Sequence, residues 1–146
     1  MIGLISDTHG LMRPEALAAL AGSEVIIHAG DVGAPGILPQ LRAIAPVVAV
    51  KGNIDKAWDL PPTAIVESGA VRLYVLHDLH ELDLDPAAAG FHIVVSGHSH
   101  KPSSTERAGI LYVNPGAAGP RRFRLPITVA RLDVTCSPYQ VTFIDL

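Results

Sequence analysis

Short apolar runs alternate with polar loops along the first third of the chain, and each run predicts a buried β-strand. The predicted strands cover residues 1–6, 25–28 and 47–50. Helices are predicted between them over residues 14–21 and 35–44, where Pro39 moves the expected start of the second helix towards residues 36–39. The order strand, helix, strand, helix, strand favours a mainly parallel sheet with helices on its faces.

The pattern changes in the second half of the chain. Two strands over residues 63–67 and 71–76 flank a tight Ser68-Gly69 turn and predict a hairpin. A helix near residues 86–89 leads to strands over residues 92–96 and 111–113. Alternation of apolar and polar residues over 127–134 and 139–144 predicts an antiparallel closing pair. We therefore expect two sheets packed together, with helices outside them.

Polar residues of metal-ligand type follow five of these strands. Because loops at the carboxyl ends of strands in α/β sheets converge on one crevice, we expect these side chains to meet. Seven ligands are too many for one four-coordinate zinc and suit two divalent cations. The candidates are Asp7, His9, Asp31, Asn53, His77, His98 and His100.

The donor atoms of this set narrow the choice of metal. Two carboxylates, one amide and four imidazoles favour Mn, Fe, Ni or Zn over Ca or Mg. The set contains no thiolate, which argues against a structural zinc site. Each residue alone has a simpler interpretation: Asn53 after Gly52 is typical of a turn, and His28 inside a strand is typical of a core or supporting histidine.

The composition limits the number of domains, the kinds of partner and the cellular location that the chain can have. The chain has 146 residues, 49% of them hydrophobic, which predicts one domain over residues 1–146. A net charge of −3 argues against a nucleic-acid partner, which needs a basic face. A single cysteine, Cys136, excludes an intramolecular disulfide, and neither a leader nor a membrane span is evident. A cytoplasmic location is the resulting expectation.

The candidate ligands fall in an order that resembles the calcineurin-like metallophosphoesterase superfamily. The compact length is similar to its small, capless bacterial and archaeal phosphodiesterase branch. The motifs span residues 7 to 100, and Asn114-Pro115-Gly116 matches downstream. They are Asp7-x-His9, Gly30-Asp31, Gly52-Asn53, His77 and Gly97-His98-Ser99-His100.

The resemblance implies an α/β fold, a four-layer α/β/β/α sandwich of two packed mixed sheets. It also implies two half-sites bridged by Asp31, with Asp31, Asn53 and His77 in the catalytic centre and two divalent cations, Mn first, as cofactors. One half-site would contain Asp7, His9, Asp31 and His100, and the other Asp31, Asn53, His77 and His98. The implied activity is hydrolysis of small phosphodiesters by a metal-bridging hydroxide.

Two positions depart from the family pattern. Ile54 stands where larger members carry a histidine that assists the leaving group, and its side chain has no proton to give. Asp78 follows His77 where glycine is common, whereas Asp55 matches the usual acidic residue. His80 is a candidate substitute proton donor, against the simpler interpretation of an exposed loop residue.

Three alternatives stay open at this point. A phosphomonoesterase or a nuclease could use the same metal chemistry, and a non-catalytic scaffold could use the same fold, as the retromer subunit does. A scaffold has no reason to keep all seven ligand positions, and none is missing here. We expect a small phosphoester as substrate, no membrane and no nucleic acid as partner, and assembly into a homo-oligomer.

Overall fold

The computed structural model describes residues 1–55 and 59–146. Trp58, for which the sequence leaves open a place in the wall of the cleft or over the core, lies outside the described residues. Two five-stranded sheets pack face to face. The strands of the first sheet are β1 Ile2–Ile5, β2 Val25–His28, β3 Val47–Ala49, β9 Thr128–Asp133 and β10 Gln140–Asp145. Those of the second are β4 Thr63–Ser68, β5 Val71–Leu76, β6 Ile93–Val95, β7 Ser103–Arg107 and β8 Ile110–Asn114. The strand orders are β10-β9-β1-β2-β3 in the first sheet and β4-β5-β6-β8-β7 in the second.

Both sheets are mixed, as predicted. Strands β1, β2 and β3 are parallel neighbours, and so are β5, β6 and β8, while the β9–β10, β4–β5 and β7–β8 pairs are antiparallel. Parallel strands point their carboxyl ends the same way. Each sheet therefore presents the ends of three such strands at one edge, and this edge carries the site.

Alternating residues of β1 explain why its sequence is continuously apolar. Ile2 and Leu4 face the second sheet and pack against Leu73 and Ile93, whereas Ile5 faces the helices. The helices are α1 (Pro14–Leu20), which begins with Pro14 in its first turn, and α2 (Ile37–Arg42). They cover the outer face of the first sheet.

The outer face of the second sheet has a thinner cover. The predicted helix over residues 86–89 is wrong, because this segment forms turns in which the Asp85 carboxylate accepts from the amide of Ala87. A 3₁₀ helix, Leu79–Glu81, and the loop after it pack on Tyr74 and Val94 instead. The fourth layer is thus present, but without an α-helix among its described residues.

Candidate metal centre

The seven candidate ligands follow the carboxyl ends of β1, β2, β3, β5 and β6, where the sequence predicted them. Backbone hydrogen bonds join these ends laterally. The amide of Asp7 donates to the Gly30 carbonyl at 2.9 Å, and the amide of Gly97 donates to the His77 carbonyl at 2.9 Å. The loops are therefore fixed to one another before any ligand binds.

The backbone is unusual at the ligands themselves. Positive φ angles are uncommon outside glycine and concentrate at functional sites. Within the described residues, only two other non-glycine residues, Ala108 and Phe123, share this conformation. The five ligands with positive φ are Asp7 (54°), His9 (46°), Asp31 (55°), His98 (70°) and His100 (62°).

Asp7 lies at the centre of the site and is fully buried. One carboxylate oxygen, Oδ2, accepts from the Ser6 hydroxyl at 2.6 Å and from the amide of His98 at 3.1 Å. The other, Oδ1, has no hydrogen-bond partner within the described chain, yet it lies 3.3 Å from His100 Nε2 and 3.7 Å from His9 Nε2. A buried acceptor without a donor is costly, so this oxygen is placed for a cation.

Asp31 stands between two imidazoles. Its Oδ2 lies 3.4 Å from both His9 Nε2 and His77 Nε2, and its Oδ1 accepts from the amide of Ile54 at 3.2 Å. Gly52 packs against the same carboxylate so closely that a Cβ there would collide with Oδ1. Glycine before Asn53 thus serves close approach of backbone to ligand.

The tautomer of His77 follows from its partner. Its Nδ1 lies 2.7 Å from the Ala29 carbonyl, which only accepts, so Nδ1 carries the proton and donates. The lone pair of Nε2 then faces the carboxylates of Asp31, at 3.4 Å, and Asp7, at 3.9 Å. Lone pairs facing carboxylate oxygens repel unless a proton or a metal ion lies between them.

The electrostatics of the site agree with this geometry. Burial opposes ionisation of Asp7, but the nearby imidazoles of His100 and His9 and the Ser6 hydroxyl outweigh it and hold its pKa well below the usual range. Burial likewise opposes the charge on Asp31, yet contact with His77 lowers the pKa of Asp31. Burial lowers the pKa of His77, contact with Asp31 raises it, and the net pKa is raised. The site keeps its carboxylates ionised and favours added positive charge.

Two groups of side chains have donor atoms within 4.8 Å of one another. Asp7, His9 and His100 form one, and Asp7, Asp31 and His77 form the other. These five residues are called the buried half below. Both groups contain Asp7, whereas the family resemblance gives the bridging role to Asp31. The buried, unpartnered atoms Asp7 Oδ1, His9 Nε2 and His77 Nε2 make this donor set fit a divalent cation.

The other two candidates, Asn53 and His98, are exposed and are called the exposed half. Asn53 lies in a turn and lines a cleft of about 300 Å³ together with His77 and Asp78. The ring of His98 stands edge-on to that of His77, with centroids 5.2 Å apart. These two side chains border the site without closing on it.

Three supporting residues fix the ligand loops. Asp55 is fully buried, and its carboxylate accepts from the amides of Val32 (3.0 Å), Gly33 (3.1 Å) and Gly52 (2.9 Å). It therefore joins the loop of Asp31 to the loop of Asn53. From the sequence, Asp55 was recognisable only as a match to the family pattern, because the burial of a carboxylate in a polar loop depends on contacts with other loops.

His28 supports the buried half from beneath. The amide of Gly30 donates to its Nδ1 at 3.2 Å, so its Nε2 carries the proton and donates to the Thr8 hydroxyl at 3.0 Å. That hydroxyl in turn donates to the Val32 carbonyl at 2.8 Å. Burial lowers the pKa of His28 to about 4, which keeps the ring neutral. The prediction of a supporting rather than ligating histidine agrees with these contacts.

Asn114 is the third support. Its side-chain amide donates to the Gly97 carbonyl at 2.9 Å and to the Ser99 hydroxyl at 3.1 Å, and its Oδ1 accepts from the amide of Gly116. Asn114 thus fixes the loop that carries His98 and His100.

The two proton-donor positions differ as the sequence indicated. Ile54 is 48% exposed beside Asp31 and has nothing to donate. The ring of His80 is 95% exposed, and its Nδ1 lies 3.0 Å from Asp78 Oδ1. The other oxygen of Asp78 lies 3.8 Å from His98 Nε2. His80 remains a candidate donor at the rim.

Residues 1–137 match the model of the calcineurin-like phosphoesterase superfamily domain. The chain belongs to this superfamily. It is 34% identical to a probable metallophosphoesterase of Methanothermobacter thermautotrophicus, over 91% of this chain and 86% of that protein. The family that the ordered motifs indicated is confirmed, and with it the class of metal-dependent phosphoric ester hydrolase.

Two further likenesses bear on function and on fold respectively. The phosphodiesterase YfcE of Escherichia coli K12 is 29% identical over 88% of this chain and 84% of its own length. Vps29 of Chaetomium thermophilum superposes with a TM-score of 0.80, covering 99% of this chain and 94% of that one, at 17% identity. This second likeness confirms the two-sheet sandwich and concerns the fold alone.

Proposed function

We propose that the protein is a dinuclear metal-dependent phosphodiesterase that acts on small phosphodiesters. The observation that supports this most is the unpartnered Oδ1 of Asp7, buried among imidazole nitrogens and 3.3 Å from His100. Such an arrangement is unfavourable in the absence of a cation and favourable in its presence. The name of the Escherichia coli relative, a phosphodiesterase, supports the choice of a diester.

The roles of the residues follow from the family resemblance, and the two observed groups of donor atoms support them for the buried half. We assign Asp7, His9, Asp31 and His100 to one ion and Asp31, Asn53, His77 and His98 to the other. Bound divalent cations would supply Lewis acidity and lower the pKa of water, which provides a nucleophile near neutral pH. The chain supplies the orientation: Ala29 fixes the tautomer of His77, and the amide of Ile54 fixes the Asp31 carboxylate.

The catalytic function of the exposed half would be to contact substrate as well as metal. Asn53 and His98 face two neighbouring clefts, and Asp78 lines both. The centre opens to solvent there, so a phosphoester can enter without movement of the buried half. Because Ile54 has no proton to donate, we expect a preference for leaving groups that need little protonation.

Finer properties remain our predictions. They are a single domain over residues 1–146, manganese as the preferred ion, a homo-oligomer, no nucleic-acid partner and a cytoplasmic location. Within the described residues, none of the helices has the length and apolar character that crossing a bilayer requires. Cys136 is partly buried and unpaired within the described residues, which is compatible with a reducing compartment.

Hydrolysis of bis-p-nitrophenyl phosphate and of p-nitrophenyl phosphate tests the proposal directly. The metal-stripped protein should be inactive, and Mn²⁺ should restore cleavage of the diester in preference to the monoester. The Asp31→Ala variant should bind less metal and lose turnover. Preference for the monoester would replace the diesterase by a monoesterase on the same centre. A folded, metal-loaded protein without turnover would favour the scaffold alternative.

A further inference from the structure

A groove leads away from the metal centre along the outer face of the second sheet. It begins at His98 and Asp78 as a cleft of about 330 Å³. It continues into a second hollow of about 460 Å³, which shares four lining residues with the first: Leu79, His80, Arg107 and Tyr112. The 3₁₀ helix forms one wall and the β7–β8 hairpin forms the other. We call this feature the lateral groove.

The groove exists because the fourth layer is incomplete. The 3₁₀ helix and its loop cover β5 and β6 and share an apolar cluster with Ile110 and Tyr112 of β8, but they leave β7 at the sheet edge exposed. No α-helix lies in this layer among the described residues. Strand β7 therefore presents an uncovered face beside the site.

That face is polar in a regular pattern. Ser103, Thr105 and Arg107 alternate along β7 and all line the groove, as expected for side chains on one face of a strand. Tyr112 pairs with Thr105 across the hairpin, and Asn114 pairs with Ser103. Hydroxyls therefore line the path outward from the metal centre, and Arg107 stands at its far end, roughly 13 Å along the strand from Ser103.

The side chain of Arg107 is oriented by its contact with Tyr112. Its guanidinium carbon lies 4.4 Å from the centre of the Tyr112 ring, in a cation–π contact. The turn that follows is tight, with φ of 51° at Ala108 and 79° at Gly109. Arg107 makes no ion pair with any residue of the described segments 1–55 and 59–146. Its planar donor group is free to bind an anion with little further ordering.

The charges at the two ends of the groove determine in which orientation an anionic ligand would bind. Asp78 lies at the inner end and would repel an anionic group placed there. Arg107 lies at the outer end and would attract it. A molecule whose ester phosphorus occupies the metal centre can thus place hydroxyls against Ser103 and Thr105 and an anion at Arg107.

We propose that the lateral groove binds one ester arm of the substrate and that Arg107 selects arms ending in a phosphate. This inference rests on the proposed phosphodiesterase activity and specifies its substrate class: phosphodiesters of a hydroxyl-bearing alcohol that carries a second, terminal phosphate. Guanidinium groups pair with phosphate through two parallel hydrogen bonds, whereas a carboxylate offers the same pairing with less charge.

A series of chromogenic diesters tests the inference. Each substrate carries a p-nitrophenyl group and an alkyl arm of two or eight carbons that ends in a hydroxyl, a carboxylate or a phosphate. We expect a phosphate at the end of the eight-carbon arm to raise kcat/KM about tenfold over the hydroxyl ending. The two-carbon arm is too short to reach Arg107, so its ending should have little effect.

Variants identify the residue responsible. In Arg107→Ala the ratio between phosphate and hydroxyl endings should fall to about one, and Arg107→Lys should retain part of it. Arg42→Ala, an exposed arginine at the end of α2, should keep the wild-type ratio. A ratio unchanged in Arg107→Ala, or a ratio of one in the wild type, would overturn the inference alone. Release of p-nitrophenol from none of the substrates would overturn the proposed function and this inference with it. A carboxylate ending that equals the phosphate would replace phosphate selection by general anion selection.

Discussion

The two halves of the metal centre differ in how they are held. The residues of the buried half are packed together by the loops at the strand ends, and their carboxylates are fixed by the Ser6 hydroxyl and the amides of His98 and Ile54. The exposed half consists of side chains on loops: Asn53 in a turn and His98, whose ring is 44% exposed. The comparison teaches that this chain preassembles its charge and leaves exposed the two candidate ligands that we propose to contact substrate.

The largest expected effect comes from the centre of the buried half. Asp7→Asn keeps the shape of the side chain and removes the charge that faces three imidazoles. We expect kcat/KM on bis-p-nitrophenyl phosphate to fall at least about a thousandfold. His98→Asn, in the exposed half, should cost about tenfold to a hundredfold. Equal losses in the two variants would remove the distinction between the halves.

Substitution of Asp55 tests whether this one residue fixes both the loop of Asp31, in the buried half, and the loop of Asn53, in the exposed half. Asp55→Ala leaves the amides of Val32, Gly33 and Gly52 without their acceptor. We expect the free energy of unfolding to fall by about 3 kcal/mol, measured by urea denaturation in the presence of a chelator. Asp59→Ala, an exposed carboxylate nearby, serves as the control. A loss of under about 0.5 kcal/mol would mean that the loops hold without this anchor.

The lowered pKa of His28 predicts that the free energy of unfolding depends on pH. The pKa is about 4 in the folded protein and 6.5 ordinarily, so as the pH falls the unfolded chain takes up a proton on this ring before the folded protein does. Stability is therefore full above pH 6.5 and is lost as the pH falls towards 4, by about 2 kcal/mol between pH 7.5 and 5. Unfolding of the metal-free protein should show this slope, and His28→Gln should remove it. A slope that persists in the variant would assign it to other groups.

The smallest effect concerns the exposed half alone. Asn53→Ala removes an exposed candidate ligand and leaves the five residues of the buried half in place. Calorimetric titration with Mn²⁺ should show one site of unchanged affinity and one weakened about tenfold. Weakening of both sites would show that the two halves act as one unit.

The fold was predictable where a strand is buried and its sequence is therefore apolar. Continuous apolar runs identified β1 and β2 because these strands are buried on both faces, whereas the Ser68-Gly69 turn identified β5 as a hairpin strand. Strand β7 was missed, since all five of its residues are exposed and polar, and only pairing with β8 makes it a strand. The Ala-rich segment after Pro86 was wrongly predicted as helix because propensity alone does not stabilise so short a helix.

The grouping of five of the seven candidate residues was predictable, but their geometry was not. Ordered ligand-type residues after strands indicated the centre, and the structure brings Asp7, His9, Asp31, His77 and His100 together. The positive φ angles and the anchoring role of Asp55 depend on contacts between loops far apart in the chain, which no local pattern carries. The lateral groove lies between the 3₁₀ helix and the β7–β8 hairpin, and the sequence predicted neither this helix nor β7.

The left-handed backbone at five ligands has a consequence for protein evolution and design. Glycine adopts this conformation without the steric penalty that other residues meet, so the exposed His98 replaced by glycine would relax its loop. Selection for stability alone would therefore favour glycine at this position, and stabilising libraries screened without an activity assay should enrich it. A lineage that abandoned catalysis would drift in that direction, whereas this chain keeps aspartate and histidine where they are conformationally disfavoured.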